Sequence, residues 1–506
     1  MLGGSSRRRF LQGTTGALAA IADMAFLRGL PIVSAADAQV DPKVVRFQPE
    51  IEPLVRLLED TPRERLLEEV ASRIKSGTSY REVLTALLLA GVRNVQPRPV
   101  GFKFHAVLVV NSAHLASLSS PDELRWLPIF WALDYFKVAQ AADVREGNWT
   151  MAPVDESAVP NGRHARQAFT EAMDRWDEQA VDPAVAGLAR SAGANEVFEL
   201  FARYGARDFR DIGHKAIFVA NSWRALSCMG WQYAEPVLRS LAYALQDRGG
   251  DGPPDSDTAA DRPWKQNTEL AKQIRGDWQE GKLEDSATSE LLVALRSASE
   301  TEVPQQVVTL LNRGVAPQSV WDALLVGAGE LLARAPGIVA LHAVTSSNAL
   351  RFAYEASEND DTRRMMLLQN AAFVPLFRDA VKRRGGELAD IKLDTLEPLP
   401  PDGADGGVED IFVDVSEDRL RAARKTLAYA RQNPSPERFI NTARALVFLK
   451  GKDSHDYKFS SAVLEDYYHV SPTWRDRYLA ASVFNLRGSR APDTELAERS
   501  RAALKA

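Results

Sequence analysis

The chain has 506 residues, a formal net charge of −6, 45% hydrophobic residues and a single cysteine, Cys228. Length and apolar content suffice to bury a large core, and a mildly acidic chain without a basic stripe argues against a nucleic-acid partner. One thiol excludes internal disulfides, zinc fingers, iron–sulfur clusters and attached c-type haem, each of which needs more than one.

At the N-terminus, Ser6-Arg7-Arg8-Arg9-Phe10-Leu11-Gln12 matches the twin-arginine export pattern, and a moderately apolar stretch from Gly13 to Ala36 follows. Ala36-Asp37-Ala38 offers the small-x-small geometry that a signal peptidase cuts. Residues 1–38 are therefore expected to be a signal peptide that engages the twin-arginine translocation machinery, with the mature chain periplasmic or secreted. Asp23 and Arg28 interrupt the apolar run, whereas a spanning helix needs about 20 apolar residues, so no membrane association is expected after cleavage. Removing Arg7, Arg8, Arg9 and Arg28 against Asp23 and Asp37 takes the net charge to about −8.

The mature sequence predicts an all-α fold. Apolar residues recur at helical spacing, as in Val83, Leu87, Leu88 and in Val237, Leu238, Leu241, Leu245, while alternating runs are rare. Two stretches read as exposed linkers: Asp247–Pro263, rich in Gly, Asp and Pro, and Gly385–Asp410. The first divides the mature chain into helical halves at 39–246 and 264–506. Gly77–Asn111 laid on Gly314–Asn348 without a gap gives ten identities, including Leu87/Leu324, His105/His342 and Asn111/Asn348. Chance at this composition gives about two or three, so the halves read as internally duplicated helical repeats. Each half divides again, because His214 and His455 follow His105 and His342 at similar distances; beyond the histidines this second pair shares little except Phe218/Phe459. Four quarter repeats result.

Four of the seven histidines, His105, His214, His342 and His455, thus recur once per quarter, each predicted to open a helix. If the repeats curve round one axis these imidazoles converge, and four neutral imidazoles form a site for a transition metal, iron or copper. Duplication copies core histidines as readily as ligands, so packing is the competing explanation. Asn111, Asn221 and Asn348 follow their histidines by six or seven residues and are candidates either to fix ring tautomers or to join helices by hydrogen bonds. His114, His164 and His469 are placed outside the site, the last two in polar, solvated surroundings. There is no phosphate loop, dinucleotide fingerprint, nucleophile elbow or His-Glu-x-x-His pair. Acidic residues are too numerous for any carboxylate pair to be assigned.

Val339–Leu350, with its His342-Ala343-Val344-Thr345-Ser346 core, then Arg363 and the helical stretch Leu367–Phe377, resembles the His-x-x-Thr-Ser elements of questin oxidase-like proteins. The resemblance covers about a tenth of the chain. It implies an all-helical oxidoreductase, the named member opening an anthraquinone ring by Baeyer–Villiger-type chemistry, and it carries only His342 and its repeat counterpart His105 into the site. Export sits poorly with a nicotinamide-dependent reaction, whose reductant stays in the cytoplasm. The two readings of the chain are thus an exported metal-dependent oxidoreductase acting on a small molecule, and a helical-repeat binding protein whose histidines are packing residues.

Overall fold

In a computed structural model of the protein, which describes residues 44–251, 257–400 and 407–505, α-helices account for most of the chain and no strand forms among the described residues. The signal segment and its cleavage site lie outside them, as do residues 252–256 of the first linker and 401–406 of the second. In the described part of the second, read as exposed, Leu393 is buried and its N–H donates to Glu330. No described helix is long and apolar enough to cross a membrane.

Four pairs of helices build the centre of the unit formed by residues 45–506. In chain order they are α1 (Tyr80–Asn94) with α2 (His105–Leu118), α3 (Ala194–Gly205) with α4 (His214–Met229), α5 (Pro317–Arg334) with α6 (Ile338–Ala356), and α7 (Glu437–Lys450) with α8 (Ser454–Asp466). In each pair the first helix packs against the second. Local sequence explains the boundaries. Ser79 and Glu82 form a capping box at the start of α1, and α5 opens with Pro317, whose missing N–H costs nothing in a first turn. Gly77 and Gly314, aligned in the sequence, both take positive φ, at 107° and 99°, and turn the chain into α1 and α5.

Apolar residues surround α1 and α2 on every side, the pattern of helices enclosed by others, and α1 from Val83 to Arg93 and nearly all of α2 are buried. Around the axis α2 packs on α4, α4 on α6, α6 on α8 and α8 on α2, which closes a four-helix ring. The four run parallel, because residues at matching distances from their histidines meet. Asn111 Nδ2 donates to Asn221 Oδ1 at 3.2 Å, and Ser461 Oγ donates to the Ser112 carbonyl at 2.7 Å.

Each of the two halves supplies two of the four central helices to one unit. The stretch read as a linker is tied down at both described ends, since Arg210 pairs with Asp251 and with Asp261. Gly249 and Gly250 are exposed as expected, while Pro263 is buried.

Candidate metal centre

The four imidazoles predicted from spacing meet at one end of the central bundle. His105 and His214 are the first residues of α2 and α4, and His455 is the second of α8. His342 departs from expectation: α6 starts at Ile338, so its histidine lies one turn inside the helix. His105 Nε2 is 3.0 Å from His214 Nε2, which is 2.9 Å from His342 Nε2. His455 closes the ring, its centroid 4.7 Å from that of His105 and 5.3 Å from that of His342. His105, His342 and His455 each offer a nitrogen within 4.8 Å of the other two, a grouping that can hold a metal ion.

Backbone carbonyls aim the rings. His105 Nδ1 donates to the Phe102 carbonyl at 2.8 Å, His214 Nδ1 to that of Asp211 at 2.5 Å, and His342 Nδ1 to that of Ile338 at 2.6 Å. A carbonyl oxygen only accepts, so each Nδ1 carries the hydrogen and each Nε2 of a neutral ring presents a lone pair to the centre. Short 3₁₀ turns, Phe102–Phe104 and Asp211–Gly213, bring the first two carbonyls into place. They do so through backbone in the left-handed region at Phe102 (φ 46°), Asp211 (φ 51°) and Ile212 (φ 45°), unusual for residues with a side chain and a recurrent mark of functional sites. His455 Nδ1 lies 3.2 Å from Asp453 Oδ1, and Asp453 also caps α8 by accepting from the His455 N–H.

The asparagines do not perform the ring-fixing role considered for them. Asn111 and Asn221 bond each other and the Leu108 carbonyl; Asn348 bonds Glu465 and Asp466, and Arg224 donates to it. They join helices a turn or two below the rings, because six or seven residues of α-helix carry a side chain about 10 Å along the axis.

Burial holds the His105, His214 and His342 rings far below the usual histidine range, and the neighbouring Lys458 adds to the effect. Lys458 is the member of the site that spacing did not single out. It lies three residues after His455, on the inward face, 2% exposed, with Nζ 3.2 Å from His342 Nε2. Burial pulls its amine down to about 7. The Lys458 amine can donate to one imidazole lone pair. With their hydrogens on Nδ1, neutral His105 and His214 present lone pairs to each other across 3.0 Å, an arrangement that can hold an electron-poor atom.

The remaining histidines stay outside. His114 is buried against Tyr80, whose hydroxyl is 3.0 Å from its Nδ1, and His164 is exposed. His469, read as solvated, is instead half-buried, and its ion pair with Glu355 raises its pKa. Tyr457 stacks on Trp131 in the core. Comparison with protein-family models, with curated proteins and with solved structures finds no match.

Proposed function

We propose that this protein is an exported metal-dependent oxidoreductase, an oxidase or oxygenase, with His105, His214, His342 and His455 as ligands of one transition-metal ion. The observation that carries the reading is the set of imidazole lone pairs aimed at one buried point with hydrogens fixed on the far nitrogens. Two nitrogens 2.9–3.0 Å apart, each about 2.1 Å from a common ion, subtend about 90° there, which suits six-coordinate or square arrangements better than tetrahedral zinc. This favours iron or copper. Either ion, when bound, supplies one-electron chemistry toward dioxygen. The chain's own part is to orient the rings through Phe102, Asp211 and Ile338, to keep bulk water out, and to hold the Lys458 amine beside the centre. The questin oxidase-like resemblance around His342 supports the reaction class, and the twin-arginine pattern supports export of a chain already folded round its cofactor. We read the quarter arrangement as the product of internal duplication.

Elemental analysis of the purified mature protein tests the proposal. About one equivalent of iron or copper is expected, lost in His342→Ala together with the stabilisation that ligand binding gives a folded state, about 2.7 kcal/mol at a hundredfold excess over Kd. Background metal content in the parent chain would return the reading to a helical-repeat binding protein with a histidine core.

A further inference from the structure

Beneath the histidines two cavities lie end to end. The inner one, about 20 Å³, is walled by all four central helices and reaches Lys458, Thr345 and Asn221. The outer one, about 200 Å³, opens beside Arg444 and the exposed Tyr468. Leu115 and Ser461 line both. The inner wall also carries a polar group without a protein partner: Thr345 is 4% exposed and its Oγ1 makes no hydrogen bond.

Size decides what can use this space. A site needs about 10–15 Å³ for one water, so the inner cavity admits a guest of two or three atoms and no ring. Leu115 and Ser461 lie ten and six residues beyond His105 and His455 in sequence, or about 15 and 9 Å along their helices. An organic molecule in the outer cavity therefore cannot touch the imidazole nitrogens, whereas a small molecule passing the waist arrives beside Lys458 and His342.

We propose that this axial passage conducts ligands of two or three atoms, dioxygen among them, to the histidine centre, with Leu115 and Ser461 as its waist. The inference rests on the metal reading of the histidines. The competing approach is from the opposite end, past His455, whose side chain is 23% exposed.

The test uses iron-loaded protein and nitric oxide as the probe, with association and dissociation followed by stopped-flow absorbance. Ser461→Phe and Leu115→Trp narrow the waist, Leu115→Ala widens it, and Val138→Trp, in a separate surface cleft lined by Trp131 and Arg499, serves as control. The narrowed variants should bind and release nitric oxide roughly tenfold more slowly at unchanged Kd, since a passage alters the barrier and not the end states. Leu115→Ala should bind faster, and the control should match the parent. Iron-loaded narrowed variants that keep the parent's rates would overturn the passage and place access at His455. A parent chain that takes up no iron would overturn the metal reading itself, a failure visible in metal content before any rate is measured.

Discussion

Gly101 shows how closely the backbone is fitted to the rings it positions. Its φ is 137°, and a Cβ there would meet His214 Cε1 at 3.4 Å and His105 Cε1 at 3.7 Å. Gly77 has a comparable φ of 107° with nothing within 4 Å of such an atom. Gly77→Ala should thus cost backbone strain alone, about 1–3 kcal/mol, and leave metal content untouched. Gly101→Ala should incur the same strain, and although its Cβ would meet the rings only at ordinary contact distance, any backbone shift that relieves the strain would be passed to two imidazoles, so metal content should fall as well. Denaturant unfolding and elemental analysis of both variants separate the effects; equal metal content would show that Gly101 does not set the rings. The four histidines were legible because they recur at one place per quarter. Lys458 was not, because lysine is ordinarily a surface residue and only its position three after His455 marked it as inward. Nor could spacing reveal that the Phe102 and Asp211 carbonyls hold their rings, since that depends on 3₁₀ turns and left-handed residues that no apolar period encodes.

Between helices, the contact of α6 with α8 is joined by a carboxyl group that burial keeps protonated. Asp466 is fully buried, accepts from Asn348 and Tyr478, and is raised to about 7. The unfolded chain releases this proton near the ordinary carboxylate value, so between about pH 4 and 7 the folded state holds more protons. Stability must then fall as pH rises through that window and level off above it, by at most about 1.4 kcal/mol per pH unit from this group. Asp466→Asn stays neutral throughout, and its amide can still accept from Asn348. Urea unfolding of metal-free protein at pH 5 and pH 8 should show a smaller difference for Asp466→Asn than for the parent; an unchanged difference would assign the pH dependence to other groups. The helices were readable from apolar period and capping signals such as Ser79 with Glu82. The start of α6 was not, because the first turn from Ile338 precedes the histidine that the repeat alignment marked, and the ring of His342 reaches back four residues to its carbonyl where His105 and His214 reach three.

At the scale of the whole molecule, composition and period identified an all-helical chain, but not that both halves contribute to one ring. Each half alone would leave two buried faces of the ring uncovered, since every central helix has one ring neighbour in each half. The export expectation has its own test. Replacing Arg7 and Arg8 by Lys should leave a precursor longer by residues 1–38 in the cytoplasm, seen by cell fractionation and intact mass, and continued export would remove the twin-arginine assignment. The parallel ring has an electrostatic consequence as well. All four helices begin at the histidine layer or within a turn of it, so four positive helix ends, each equivalent to about half an elementary charge, point at one spot. Asp453 is the one acidic side chain, among the described residues, that a ring of this centre touches. The surroundings therefore oppose any gain of positive charge, so a redox ion held there should prefer its lower oxidation state, draw anions to its open positions, and act as a stronger oxidant than the same ion in water.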